Sequence, residues 1–82
     1  MTRLNVIDAR CEALFASSQQ PGDEASCDMV RNAIRRTARE FGIRGCAARV
    51  AQEFGDHPDT AAARMVWARK TVARTWPKRG AA

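Results

Sequence analysis

The chain is poor in the groups that catalysis needs: its 82 residues include one histidine, His57, and no glycine-rich phosphate loop. Catalysis calls for acid, base or nucleophile groups that converge in a pocket, so no enzymatic activity is expected. No apolar run is long enough to cross a bilayer, and the first residues lack the basic, apolar and small-residue order of a signal peptide. A cytoplasmic location is therefore the expectation. The three cysteines, Cys11, Cys27 and Cys46, are odd in number and widely spaced, which is neither a disulfide framework nor a paired zinc signature. A zinc site combining them with His57 is disfavoured, because no two of the four lie close in sequence. No cofactor is expected, and reduced, mostly buried thiols are the default. Alternating runs of β-branched and aromatic residues are absent as well, so no strand is expected.

What is present is alanine, arginine and helical periodicity. A chain this short makes one domain at most and buries a modest core, so its function must sit on its surface. The expected fold class is all-α, a small four-helix domain over residues 1–76 with a helix-turn-helix in the C-terminal half. Leu4, Ile7, Cys11, Leu14 and Phe15 recur at helical spacing and predict a first amphipathic helix over about 4–16. Residues 17–22, which include Pro21 and Gly22, form a polar break. Asp23 or Ser26 then caps a second helix over about 24–41, with Val30, Ala33, Ile34, Thr37, Ala38 and Phe41 inward and Gly42 as its stop. A short third helix over about 45–54 turns Cys46, Ala47, Val50, Ala51 and Phe54 inward and closes at Gly55. Pro58 is suited to the first position of a fourth helix over about 58–76, and Asp59 beside it complements the positive end of the dipole. Pro77 stops that helix and opens a basic tail, residues 77–82, that is expected to be disordered.

Charge divides the chain unevenly. Residues 1–30 hold two arginines against five carboxylates, whereas residues 31–82 hold twelve basic side chains against four acidic ones. The net +5 thus conceals an acidic front and a strongly basic back that can attract an anionic polymer. Arg31, Arg35, Arg36 and Arg39 form a run on the outer side of the second helix, although such a run is ordinarily a solvated face.

The stretch AARVAQEFGDHPDTAAARMVWARKTV, residues 47–72, carries the spacing of bihelical DNA readers, with Ala51 four residues before Gly55 and Thr60 five after it. A small Ala51 lets two helices cross closely, Gly55 relieves a tight turn, and Phe54 fills the wedge between the helices. In Ala51, Phe54, Gly55, Thr60, Ala61, Arg64, Met65, Ala68, Arg69 and Val72 the sequence resembles the helix-turn-helix in the fourth conserved region of bacterial sigma factors. Asp56 departs from that pattern in the turn, and Ala62 and Ala63 replace polar groups that commonly face DNA. Nothing in these 82 residues resembles the promoter-melting or polymerase-binding regions of a sigma factor. The resemblance implies a DNA-facing helix and a role as a small transcriptional regulator, not an initiation activity.

In the fourth helix Ala61, Met65, Ala68, Val72 and Trp76 fall on one stripe and should face the core. The opposite face holds the candidate site. It carries Asp59, Ala63, Val66, Trp67, Lys70 and Arg74, with Arg64 and Arg69 on the flanks; Arg64 and Lys70 are placed for phosphates or guanine, Val66 for a thymine methyl, and His57 and Thr60 for backbone. Arg35 and Arg39 of the second helix supply further phosphate contacts. Trp67 is either covered by the first helix or exposed as a partner anchor. The expected partner is double-stranded DNA, bound by a dimer or beside another regulator. The alternative is a helical protein-interaction domain that pairs with itself or a regulatory partner through Val66, Trp67 and the first helix. An apolar patch around Trp67 favours that alternative, and clustering of Arg35, Arg39, Arg64, Lys70 and Arg74 favours DNA. Whether the first helix completes the core or swaps into a neighbour is open at this point.

Overall fold

A computed structural model describes residues 5–77. These residues form three α-helices and one short 3-10 turn: α1 (Val6–Ala16), the turn (Pro21–Asp23), α2 (Cys27–Asp56) and α3 (Pro58–Thr75). The all-helical class is as expected, and the described residues contain no strand. The count of four helices is corrected to three. Leu4 and the basic tail beyond Pro77 lie outside the described residues.

The correction arises at Gly42. Its backbone has φ 72° and ψ 170°, the only positive-φ glycine among the described residues, yet the helix resumes immediately on both sides. The residue therefore kinks one long element instead of ending it, and only glycine adopts that conformation without a side-chain penalty. A Cβ on Gly45 would stand 3.0 Å from the Cβ of Phe41, so a second glycine lets the chain close up after the bend. The Cys46 thiol donates to the Thr37 carbonyl, 3.9 Å away, across the same kink.

The start of α2 is also later than expected. Asp23 accepts from the Gln20 N–H at 2.8 Å and from the Gln19 side chain at 2.8 Å, which holds the 3-10 turn together and leaves Asp23 unable to cap a helix. Ser26 does the capping, accepting from the Met29 N–H at 3.2 Å. At the other end, Gly55 lies inside α2, which runs on to Asp56. The connection to α3 is the single residue His57.

Helix α1 packs against both α2 and α3, which also pack against each other, and it is buried on more than one side. Cys11, Ala13, Leu14 and Phe15 are all buried, and the first three pack with Val30, Ile34, Cys46, Ala68 and Val72 in the core. The first helix thus completes the core of its own chain. Ile7, expected inward, is 54% exposed, because the packing against the other two helices begins about a turn later. The stripe expected on α3 faces inward: Ala61, Ala68 and Val72 are buried and Met65 and Trp76 partly so, joined by Thr71 and Thr75.

Two arginines join the helix ends across the molecule. The last carbonyls of any helix have no partner within it. The Arg64 side chain serves those of α1 and the loop beyond, donating to the carbonyls of Phe15 (2.8 Å), Ser17 (3.0 Å) and Gln19 (2.9 Å). Arg31 of α2 donates to the Thr75 carbonyl at the end of α3, at 3.2 Å. The Trp76 ring there is covered by the Arg10 guanidinium, 4.0 Å from its centroid.

Candidate functional site on the outer face of the third helix

The site is built on α3 because its sequence splits cleanly by angle. With Ala61, Ala68, Thr71, Val72 and Thr75 turned to the core, Asp59, Ala62, Ala63, Val66, Lys70, Ala73 and Arg74 face outward and are exposed. Val66, at 53% exposed, is the largest apolar group among them. Trp67 lies at the edge of this face and is half-buried.

Ala63, Val66, Trp67, Lys70 and Arg74 line one open groove of about 490 Å³. Its other wall is the segment after α1, through Gln20, Pro21, Glu24 and Ala25, with Val30 and Thr71 at the floor. Glu24 is held in the left-handed region (φ 52°), next to the 3-10 turn that fixes the wall. The groove is thus apolar at its centre, with two cations on one rim and a carboxylate on the other.

Of the ten residues picked from sequence, these five come together, and the remaining five divide. His57 and Thr60 are exposed at the junction of α2 and α3, and the His57 ring makes no capping hydrogen bond. Arg35 and Arg39 are exposed on the outer side of α2, away from the groove lining. Arg64 is placed differently from the sequence reading, since its guanidinium turns inward to three carbonyls and lies 4.8 Å from the Trp67 ring centroid. Burial lowers its pKa from the ordinary value, an effect that Glu53 partly offsets. Trp67 is therefore covered in part by Arg64.

The junction also differs from the geometry read into residues 51–55. Ala51 is exposed, and nothing lies within 4 Å of where a Cβ on Gly55 would stand, so neither marks a close helix crossing. Phe54 is 39% exposed and stacks on Phe15 of α1, with centroids 6.1 Å apart, instead of wedging α2 from α3.

Sequence reasoning missed the wall formed by Pro21, Glu24 and Ala25, since spacing along α3 carries no information about a loop some forty residues away. It also missed the capping role of Arg31. Cys11 and Cys46 are buried and Cys27 is exposed, all three as free thiols. Burial raises the pKa of Cys11 and of Cys46 above the ordinary thiol value. Among the described residues, no three His, Cys, Asp or Glu side chains converge as metal ligands do, and no helix is long and apolar enough to cross a membrane. No protein-family model, curated protein or solved structure matches the chain.

Proposed function

We propose that the protein is a non-catalytic helical interaction module that engages a protein partner through the outer face of α3. The observation that carries this reading is the groove: Ala63, Val66 and Trp67 offer an apolar strip beside Pro21 and Ala25, while Arg64 is turned away to α1. Apolar area flanked by charge is the usual composition of a protein interface, and a partly exposed tryptophan is a frequent anchor. Lys70 and Arg74 on the rim select a partner segment that carries a carboxylate beside its apolar side chains. Three unpaired thiols favour a reducing compartment, in keeping with a cytoplasmic location.

The test is selection from a displayed random-peptide library against the immobilised protein, followed by amide chemical-shift mapping of the enriched peptides. Peptides that combine apolar and acidic residues, shift residues 63–74 and bind at least about tenfold more weakly to Val66→Asp support the reading. Failure to enrich any peptide, or binding indifferent to Val66→Asp, overturns it.

Duplex DNA is the second reading, and the outer side of α2 favours it. Arg35, Arg36 and Arg39 are exposed there, and the two ion pairs among the described residues, Arg31–Asp28 and Arg69–Asp8, involve none of them. The resemblance to the sigma-factor helix-turn-helix, with its implied regulatory role in bacterial transcription, belongs to this reading, as do His57 and Thr60. Anisotropy of a labelled genomic duplex at low and moderate salt tests it. Salt-steep binding weakened by Arg35→Ala with Arg39→Ala supports DNA, and no binding at low salt removes it.

A further inference from the structure

The outer face of α3 is unlike an ordinary solvated helix face. Asp59, Ala63, Val66, Lys70 and Ala73 follow one another in alternating steps of four and three residues, and all five are exposed. That alternation, 3.5 residues on average, is the seam along which two helices pack side by side. Its centre is small and apolar, so a second helix axis can approach to about 8–10 Å. A single exposed valine needs no explanation. Here, however, the apolar positions keep the seam register, and Ala62 flanks them.

Charge gives the seam a direction. Asp59 lies in the first turn of α3 and Arg74 in the last, with Lys70 one turn before it, and none of the three forms an ion pair among the described residues. Asp59 and Arg74 each oppose the dipole of their own helix end, which accounts for their sign but not for the apolar stretch between them.

We infer that the partner of this face is a second copy of the same chain, with the two α3 helices antiparallel about a twofold axis between Val66 and Trp67. This rests on the reading of α3 as an interaction surface and names its occupant. In that arrangement Asp59 meets Arg74 of the second copy, Ala63 meets Lys70, and Val66 meets Trp67. A parallel pair would set Lys70 on Lys70 and Asp59 on Asp59, and like charges disfavour it. The dipoles of the two helices also oppose one another in the antiparallel pair. Each α3 has 18 residues, or about 27 Å of contact length, so the interface falls at the small end of the range for specific complexes. Association is expected to be weak, with a Kd on the order of 10–100 µM.

Sedimentation equilibrium of the full chain from about 5 µM to about 500 µM, at low and high salt, is the first measurement. The expected result is a monomer–dimer equilibrium that weakens with salt. Val66→Asp and Arg74→Asp should each weaken it at least about tenfold, while the double swap Asp59→Arg with Arg74→Asp should restore it, with circular dichroism melts showing that each variant is folded. Orientation is read by disulfide trapping with diamide in a Cys27→Ser background. Val66→Cys, beside the axis, should link two copies, whereas two copies of Ala73→Cys stand about 20 Å apart along the helices and should not. A monomer throughout the concentration range overturns the inference, as does a dimer indifferent to Val66→Asp or one linked by Ala73→Cys. A monomer that still binds peptides in a Val66-dependent way would overturn self-association alone and leave the partner reading standing.

Discussion

Arg64 occupies a position that spacing alone assigns to a ligand, and its three carbonyl partners give it a different task. All three lie 45–49 residues away, where no periodicity can reveal them. Removing the guanidinium leaves these acceptors to water, so Arg64→Ala should destabilise the fold by about 1.5–3 kcal/mol in urea denaturation with an unchanged m-value. Arg64→Lys should recover little, because one ammonium cannot reproduce the planar fork that serves three acceptors. Stability equal to that of the parent chain would mean that water replaces the side chain at no cost. The thiols follow a simpler rule. Burial raises Cys11 and Cys46 above the ordinary value of 9.0, which favours their protonated form in the folded chain. Their contribution is complete below the unfolded thiol pKa and is lost as pH rises through the raised folded values. Stability should therefore fall at alkaline pH, and a disulfide exchange reagent at neutral pH should titrate Cys27 rapidly and the other two only on unfolding. Three thiols reacting at one rate would contradict the burial. Their role as core packing was legible from helical spacing for Cys11 and Cys46, whereas Cys27 gave no such signal and is exposed.

Helix α2 joins what the sequence reading divides. Glycine at 42 was legible as a special backbone position, but whether such a residue ends a helix or bends it depends on what the following residues pack against. Cys46 is buried in the core, so the chain resumes its helix there instead of leaving it. Gly42→Ala should destabilise the protein by about 1–3 kcal/mol, since φ 72° is strained for any side chain although the space itself is open. A calorimetric melt should show a fall of several degrees per kcal/mol, and an unchanged melt would show that the kink relaxes freely. The limits of α3, Pro58–Thr75, come within one residue of expectation because prolines bracket the helix chemically at both ends. The start of α2 was harder to place, because Asp23 and Ser26 are both able caps, and only the 3-10 turn decides between them.

At the scale of the molecule, α1 packs against both other helices and is buried on more than one side. Periodicity assumes one buried face, and on that assumption Leu14 and Phe15 were legible as inward while the burial of Ala13 beside them goes unseen. Deleting residues 1–16 should therefore abolish cooperative unfolding by circular dichroism, not merely lower the midpoint, because the core loses Cys11, Ala13 and Leu14 and the faces of α2 and α3 that pack on α1 become exposed. A cooperative transition in the shortened chain would show that α2 and α3 form a core of their own. The groove was half legible: α3 displayed its wall by angle, and the opposing loop came from the docking of α1. The two arginine ties couple the helix ends to the rest of the fold. Helix ends ordinarily breathe on their own and exchange their amide protons quickly with solvent. Here the end of α1 cannot loosen until Arg64 departs with α3, and the end of α3 is bound to Arg31 of α2. Amides in the last turns of α1 and α3 should accordingly exchange on the timescale of global opening, in step with the amides of the buried mid-helix residues Ile34 and Ala68.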